Sequence, residues 1–540
     1  MMHKSFQNAA CGALAQVVCV CTQFVMRTVF IRELGAAFAG LDALMAHIVH
    51  VLSAAEMGLG TAVAYRLYAP LARGDALEAA QMTGLLRRGY RTVGCVILGG
   101  GLCAWPFVHR MMADAAFSPA RVRAAFALCV LEEAVPYFFS YRRVLLFADQ
   151  RGFLAARADI ACRLITCAVC TAILVRTGDY LFFLFARLAL SLAGHVSVFY
   201  LAARHYPFLG RPSVPATKIQ RRRVRRDLCD LAAGTVSGRM TAEADGILIS
   251  AMVSTVSAGI YSSYALVIRA GKGVFSSLAA SLTGMLGSLY ASGDRRKAEE
   301  AFSRMEFAFG AAGIAAGAAV YCGLTPLIRL WLGEGYTLGR DALFVCAMNT
   351  FLGIAREPLW RMASCCGLFV WDKWVSILGG AADVLVSVAL GRRFSLTGIL
   401  LGTTCTLALQ TGLKTWLLYS RRLRLPARMA LARWGKRALL APLCMRTASI
   451  LCSRIQTGWE IGDLAMHLAT AVTVSALAVA AVFGRTKEFT ACMALLRRHA
   501  GRAVCHKGYR RRDADGNGKK AAKRGPDRFS KPKQRKKAGA

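Results

Sequence analysis

Acidic residues are scarce in this chain. Asp and Glu together number 30 among 540 residues, against 69 Lys plus Arg, which leaves a formal charge of +39. Charged residues of both signs make up only 18% of the sequence, while 56% is hydrophobic. A soluble chain carries about 25% charged residues, which it needs to cover its surface. The shortage excludes a water-soluble globular protein. No glycine-rich phosphate loop ending in Gly-Lys-Ser or Gly-Lys-Thr is present, which argues against ATP hydrolysis within the chain. The 19 cysteines sit mostly inside apolar runs, as Cys19, Cys21, Cys365 and Cys366 do, and none stands in metal-binding spacing with histidine. They read as small hydrophobic residues of packed helices. Gly99–Gly101 lies in an apolar run and reads as helix packing. No metal or other cofactor is expected, and no catalytic constellation stands out, so the chain is not expected to be an enzyme.

What is there is a series of long apolar runs. The first, from Ala9 to about Phe30, is long enough to cross a hydrocarbon core of about 30 Å and reads as a retained helix, not a cleaved signal. About fourteen such spans follow one another, at 9–31, 37–63, 92–113, 122–147, 154–175, 180–203, 229–253, 256–289, 304–332, 341–366, 371–391, 396–420, 437–453 and 465–484. The eighth is too long for one straight crossing and contains Gly271 and Gly273, so a bend or an extension into water is expected. The fold class is therefore all-α and polytopic.

The basic residues lie between the apolar runs and after Arg485, the pattern of loops on the cytoplasmic side, not of a nucleic-acid surface. Alternate connections hold Arg66, Arg73, Arg87 and Arg88, then Arg142, Arg143 and Arg151, then Lys218 to Arg226, Arg295 to Lys297, Lys373, and Arg421 to Arg433. The opposite set is poor in cations: 253–256 has none and 333–340 has only Arg340. This asymmetry places both termini in the cytoplasm and requires an even number of spans. The expected organisation is an N-terminal transmembrane lobe over 1–203, a basic cytoplasmic linker over 204–228, a C-terminal lobe over 229–420, a final helix pair over 421–484, and a basic tail over 485–540 too charged to pack. Anionic membrane lipids are expected partners of the basic segments, and nucleic acid is not.

Several strings carry a family resemblance. They are LSAAEMGLGTAVAYRLYAPLARGD from Leu52, EEAVPYFFSYRRVLLFADQRGF from Glu132, DGILISAMVSTVSAGIYSSYALV from Asp245, RLWLGEGYTL from Arg329, REPLWRMASCCGLFVWDKW from Arg356 and LTGILLGTT from Leu396. In order and spacing they resemble the Wzx-type polysaccharide flippases, the O-antigen and capsule unit translocases of the multidrug/oligosaccharidyl-lipid/polysaccharide exporter superfamily. The likeness covers roughly 5–440. It implies a MATE-like fold of two six-helix lobes around a central cavity, followed by the final pair, with access alternating between the two sides of a bacterial cytoplasmic membrane. It also implies a lipid-linked oligosaccharide as passenger, with a polysaccharide polymerase and glycosyltransferases as possible partners. The chain departs from the family pattern at Ser263 and Ser288, where asparagine is common.

Charged residues at membrane depth are costly, about 2.5–3.5 kcal/mol each on insertion scales, so they face a cavity or a partner. Asp159 with Arg163, and Arg239 with Glu243, are spaced four apart and are expected to neutralise each other along one helix face. Arg27, Arg163 and Lys414 lie near span ends, where snorkelling to the interface is open to them. Arg269 and Lys272 are three apart and both positive, so they need water or an anion opposite, or else lie at a helix end. With Arg187, Arg356 and Arg27 they form the candidate substrate-binding set, because the planar guanidinium donates two hydrogen bonds to phosphate oxygens. Glu56, Glu132 and Asp245 are the candidate ion-coupling carboxylates; for Glu56 the structural options, pairing with Arg27 or a backbone hydrogen bond, lead. The competing functions are a multidrug or cation antiporter of the same superfamily, a lipid II flippase, and a membrane-tethered scaffold. A cation exporter favours carboxylates in its cavity, whereas here cations outnumber uncompensated acids; a scaffold has no need of intramembrane charge.

Overall fold

A computed structural model describes residues 2–494 except 57, 112–116, 150, 208–216, 292–293, 367, 424 and 455–457. Most of the basic tail therefore lies outside the described residues. Those described are helical, with no strand among them. In chain order the helices are α1 (Met2–Leu52), α2 (Leu59–Arg73), α3 (Ala76–Ala104), α4 (Pro119–Phe139), α5 (Arg143–Ala148), α6 (Gly152–Thr177), α7 (Tyr180–His205), α8 (Lys218–Met252), α9 (Thr255–Ala291), α10 (Arg295–Leu332), α11 (Arg340–Ala355), α12 (Glu357–Cys365), α13 (Phe369–Leu418), α14 (Ala427–Cys452) and α15 (Glu460–Phe483).

Two of these, α1 and α13, are too long to cross once. At about 1.5 Å per residue, a helix of this length runs to about 75 Å, more than twice the hydrocarbon core. Each is broken where the sequence suggested a short connection. In α1 the break is Gly35, whose φ of 83° is open to glycine. In α13 it is Ser395, at φ 53° and ψ −135°, the one non-glycine residue with positive φ among those described. The backbones close tightly beside that second break, where a Cβ on Gly398 would lie 2.1 Å from the Leu390 carbonyl oxygen. With α1 and α13 each counted twice, and the short α2, α5 and α12 continuing their neighbours, the described helices make the expected fourteen long segments, and seven helices, α1 and α13 taken unbroken, are long and apolar enough to cross a membrane.

The packing forms two lobes. In the first, α1 lies on α6, α3 on α4, and α4 on α7. In the second, α8 lies on α13, α10 on α11, and α9 on α12. The lobes meet where α1 packs on α8 and α9. The last pair joins the second lobe, with α14 against α10. The basic stretch from Lys218 onward, expected as linker, forms the first turns of α8 instead. Thr217 accepts the Gln220 backbone N–H and the Gln220 side chain accepts the Thr217 N–H, a capping box that starts a helix before the apolar run does.

The surface is inverted relative to a soluble protein. Leu439 is 76% exposed and Leu385 71%, while Asp245, Asp383, Glu306, Lys414 and Arg437 are buried. Lipid solvates the outward leucines, and the interior takes the charge. The chain is a multi-pass membrane protein. Outside the membrane, Asp294 caps α10 by accepting the Lys297 N–H, and its ion pair with the Lys297 ammonium at 2.6 Å holds this carboxyl below its usual range.

Candidate functional site

A cavity of about 430 Å³ opens within the second lobe, walled on one side by His47 of α1. Helix α9 supplies Arg269 and Lys272, one turn apart on the same face, and Arg356 comes from the corner between α11 and α12. These three cations of the candidate set thus converge on one space. Lys272 reaches it past Gly353, where a Cβ would stand 3.1 Å from its Cε. Arg356 lies with its guanidinium carbon 4.6 Å from the Trp360 ring centroid and donates to Gln410 Oε1 at 3.4 Å. The Lys414 ammonium sits 3.6 Å from the centroid of the same indole and is buried, so it does not reach the interface as its position near a span end suggested. A ring holding two cations fixes both by its quadrupole and orients the arginine.

The lining acids are few. Glu357 is turned to Arg361 at 3.1 Å, which also donates to Ser276. Asp245 is buried and accepts the Thr403 hydroxyl at 2.7 Å. Asp383, 1% exposed, lies within electrostatic reach of it. Two buried carboxylates this close repel, and the Lys272 ammonium, also within electrostatic reach of Asp245, partly offsets them.

The other candidate residues lie elsewhere. Arg187 and Glu132 pair with each other at 2.8 Å, and Arg187 also meets Asp42 at 3.3 Å. They line a second cavity of about 390 Å³ in the first lobe, with Asp159 and Arg143. Arg187 is therefore committed to two carboxylates and is not a free cation beside Arg269. Glu56 accepts the Tyr90 hydroxyl at 3.0 Å, neither of the partners considered for it. Arg27 does not snorkel: it crosses to the second lobe, donating to the Gly259 carbonyl at 2.8 Å and to the hydroxyls of Ser262 and Ser263. The departure from asparagine at Ser263 thus falls on a residue that holds this guanidinium.

Both expected same-helix pairs are rearranged. Asp159 takes Arg143 as its partner and leaves Arg163 exposed. Glu243 takes His47 and His50, and Arg239 donates to Ser53 at 3.0 Å. The cause is geometric: a bidentate guanidinium fork or a buried imidazole meets the carboxylate better than a side chain on the same helix surface. Sequence reasoning missed His47, which has no charge to flag it in an apolar run, and Glu306 with Arg437, which fall at span edges.

No protein-family profile matches the chain, and no curated protein matches it in sequence. Solved structures do match. The lipid II flippase MurJ in an inward closed conformation is 12% identical, with a TM-score of 0.65 over 88% of this chain and 98% of that one. An inward-facing multidrug resistance MATE family transporter of the MOP superfamily is 13% identical, at 0.59 over 78% and 96%. The MATE multidrug transporter DinF-BH is 14% identical, at 0.58 over 76% and 95%. The expected MATE-like architecture is thus the observed one: the chain has the fold that MurJ and the MATE transporters share.

Proposed function

We propose that the chain is a flippase for an anionic lipid-linked substrate. Its passenger is a polyprenyl phosphate or diphosphate carrying sugar units, moved across a bacterial cytoplasmic membrane by alternating access of the two lobes, for cell-surface polysaccharide. The observation that carries this reading is the convergence of Arg269, Lys272 and Arg356 on one cavity, with Glu357 already tied to Arg361. Such a lining attracts phosphate oxygens and repels a cationic drug. The fold supports transport by two lobes, and the match to MurJ supports lipid II as an alternative passenger with the same diphosphate chemistry.

With both termini cytoplasmic, the turn between α8 and α9 lies on the far side, and the lobes touch there: a Cβ on Gly40 would lie 1.8 Å from the Thr255 carbonyl oxygen. The cavity is then reached from the cytoplasm, where sugar units are assembled on their lipid. Of the three carboxylates considered for ion coupling, Asp245 is the one that lines this cavity, and it is the coupling acid of this reading.

Inactivating the gene tests the proposal. Lipid-linked sugar units are expected to accumulate on the cytoplasmic leaflet, and Arg269→Ala is expected to lower surface polysaccharide with membrane protein levels unchanged. Unchanged glycans with increased sensitivity to cationic dyes would overturn it in favour of drug export.

A further inference from the structure

The seam between the lobes holds a titratable cluster at the edge of the cavity, which His47 walls. Glu243 of α8 is gripped by two imidazoles of α1: His47 Nδ1 meets one carboxylate oxygen, and His50 Nδ1 lies 3.5 Å from the other. His47 is 7% exposed, and its ring occupies the space a side chain at Gly246 would fill, since a Cβ there would lie 2.1 Å from Nε2. One turn of α1 separates the two histidines, so both face the same strip of α8. This contact crosses from one lobe to the other.

Charged groups surround the cluster from both lobes, and His47 also faces the cavity that Asp245, Arg269, Lys272 and Arg356 line. Glu243 and Arg239 face it from α8, and Glu133 acts on His50 from α4. Arg239 also donates to Ser53, next along the first lobe. Glu56, a turn beyond Ser53, accepts the Tyr90 hydroxyl. A protonated imidazole turns its contact with Glu243 into an ion pair. A charge-assisted hydrogen bond is about twice as strong as a neutral one, so protonation of this cluster strengthens the tie between lobes.

We propose that His47, His50 and Glu243 form a proton-operated latch across the lobe seam. With an imidazolium present, the latch holds α1 against α8 and the seam is closed. As pH rises and the imidazolium gives up its proton, the ion pair gives way to a neutral hydrogen bond and the seam loosens. Because His47 also walls the cavity, the latch is tested without ligand.

Hydrogen exchange on the ligand-free protein in lipid nanodiscs tests it, with rates corrected for the intrinsic effect of pH. In the wild type, protection of segments 36–52 and 239–252 is expected to fall about tenfold between pH 5.5 and 8, while the lobe-internal contact of α4 with α7 keeps its protection. In His47→Gln with His50→Gln, protection is expected to be low at both pH values. A wild-type profile flat across this range overturns the latch, as does a drop that persists unchanged in the double variant. A wild-type drop shared equally by α4 and α7 also overturns it, since that reports general loosening.

Discussion

Arg356 and Lys272 bring the same charge to the cavity by different means. Arg356 is held over an indole and against Gln410, so its planar fork is presented in one orientation. Lys272 is a point charge threaded past a glycine. Replacing Arg356 with Lys keeps the charge and discards the fork. Inorganic pyrophosphate titrated into the purified protein is expected to bind Arg356→Lys about tenfold more weakly, about 1.4 kcal/mol, with folding unchanged. Equal affinity for both proteins would remove the fork from the argument. At the seam, Gly246→Ala places a carbon where the His47 ring sits, so the ring must leave Glu243. The expected outcome is the low-protection state at acidic pH, read by the same exchange measurement.

Among the elements, α14 is fixed by charge as well as by apolar contact. Glu306 of α10 is fully buried, accepts the Tyr419 hydroxyl at 3.1 Å and pairs with Arg437 of α14 at 3.6 Å, while Arg433 donates to the same tyrosine at 3.1 Å. Removing one partner strands a buried charge, at about 3–5 kcal/mol. Arg437→Met is therefore expected to lower the unfolding temperature in detergent markedly, and the double change with Glu306→Leu to recover most of the loss. If the double variant is no better than the single, the ion pair is not what the single change disturbs. In α13 the break at Ser395 forces a serine into a conformation suited to glycine. Ser395→Gly is expected to raise the unfolding temperature, by about 1 kcal/mol in stability.

For the molecule as a whole, the interlobe contacts are the ones that the proposed alternating access must break. Besides Arg27 and the histidine latch, Trp331 of α10 donates to Thr28 Oγ1 at 2.6 Å, and its ring lies 4.5 Å from that of Phe24. In a cysteine-free background, a bifunctional thiol reagent joining Thr28→Cys to Trp331→Cys is expected to abolish transport while leaving the fold intact. Continued transport after complete cross-linking would show that these lobes need not part. The charge pattern that made a flippase worth proposing was legible in the sequence at Arg269, Lys272 and Arg356. It misled at Arg187, whose partners Glu132 and Asp42 come from other helices.

The sequence by itself determined the order of the apolar runs and where the two long helices break, because a bilayer demands apolar runs of nearly fixed length. The tertiary structure alone decided which charges are spent and which are available. Arg187 and Glu132 are 55 residues apart, and Arg27 and Ser263 are 236 apart. In a low-dielectric interior, an ionised group pairs with whatever carboxylate or hydroxyl the packing brings within about 3 Å, and neighbours along one helix seldom have the best geometry.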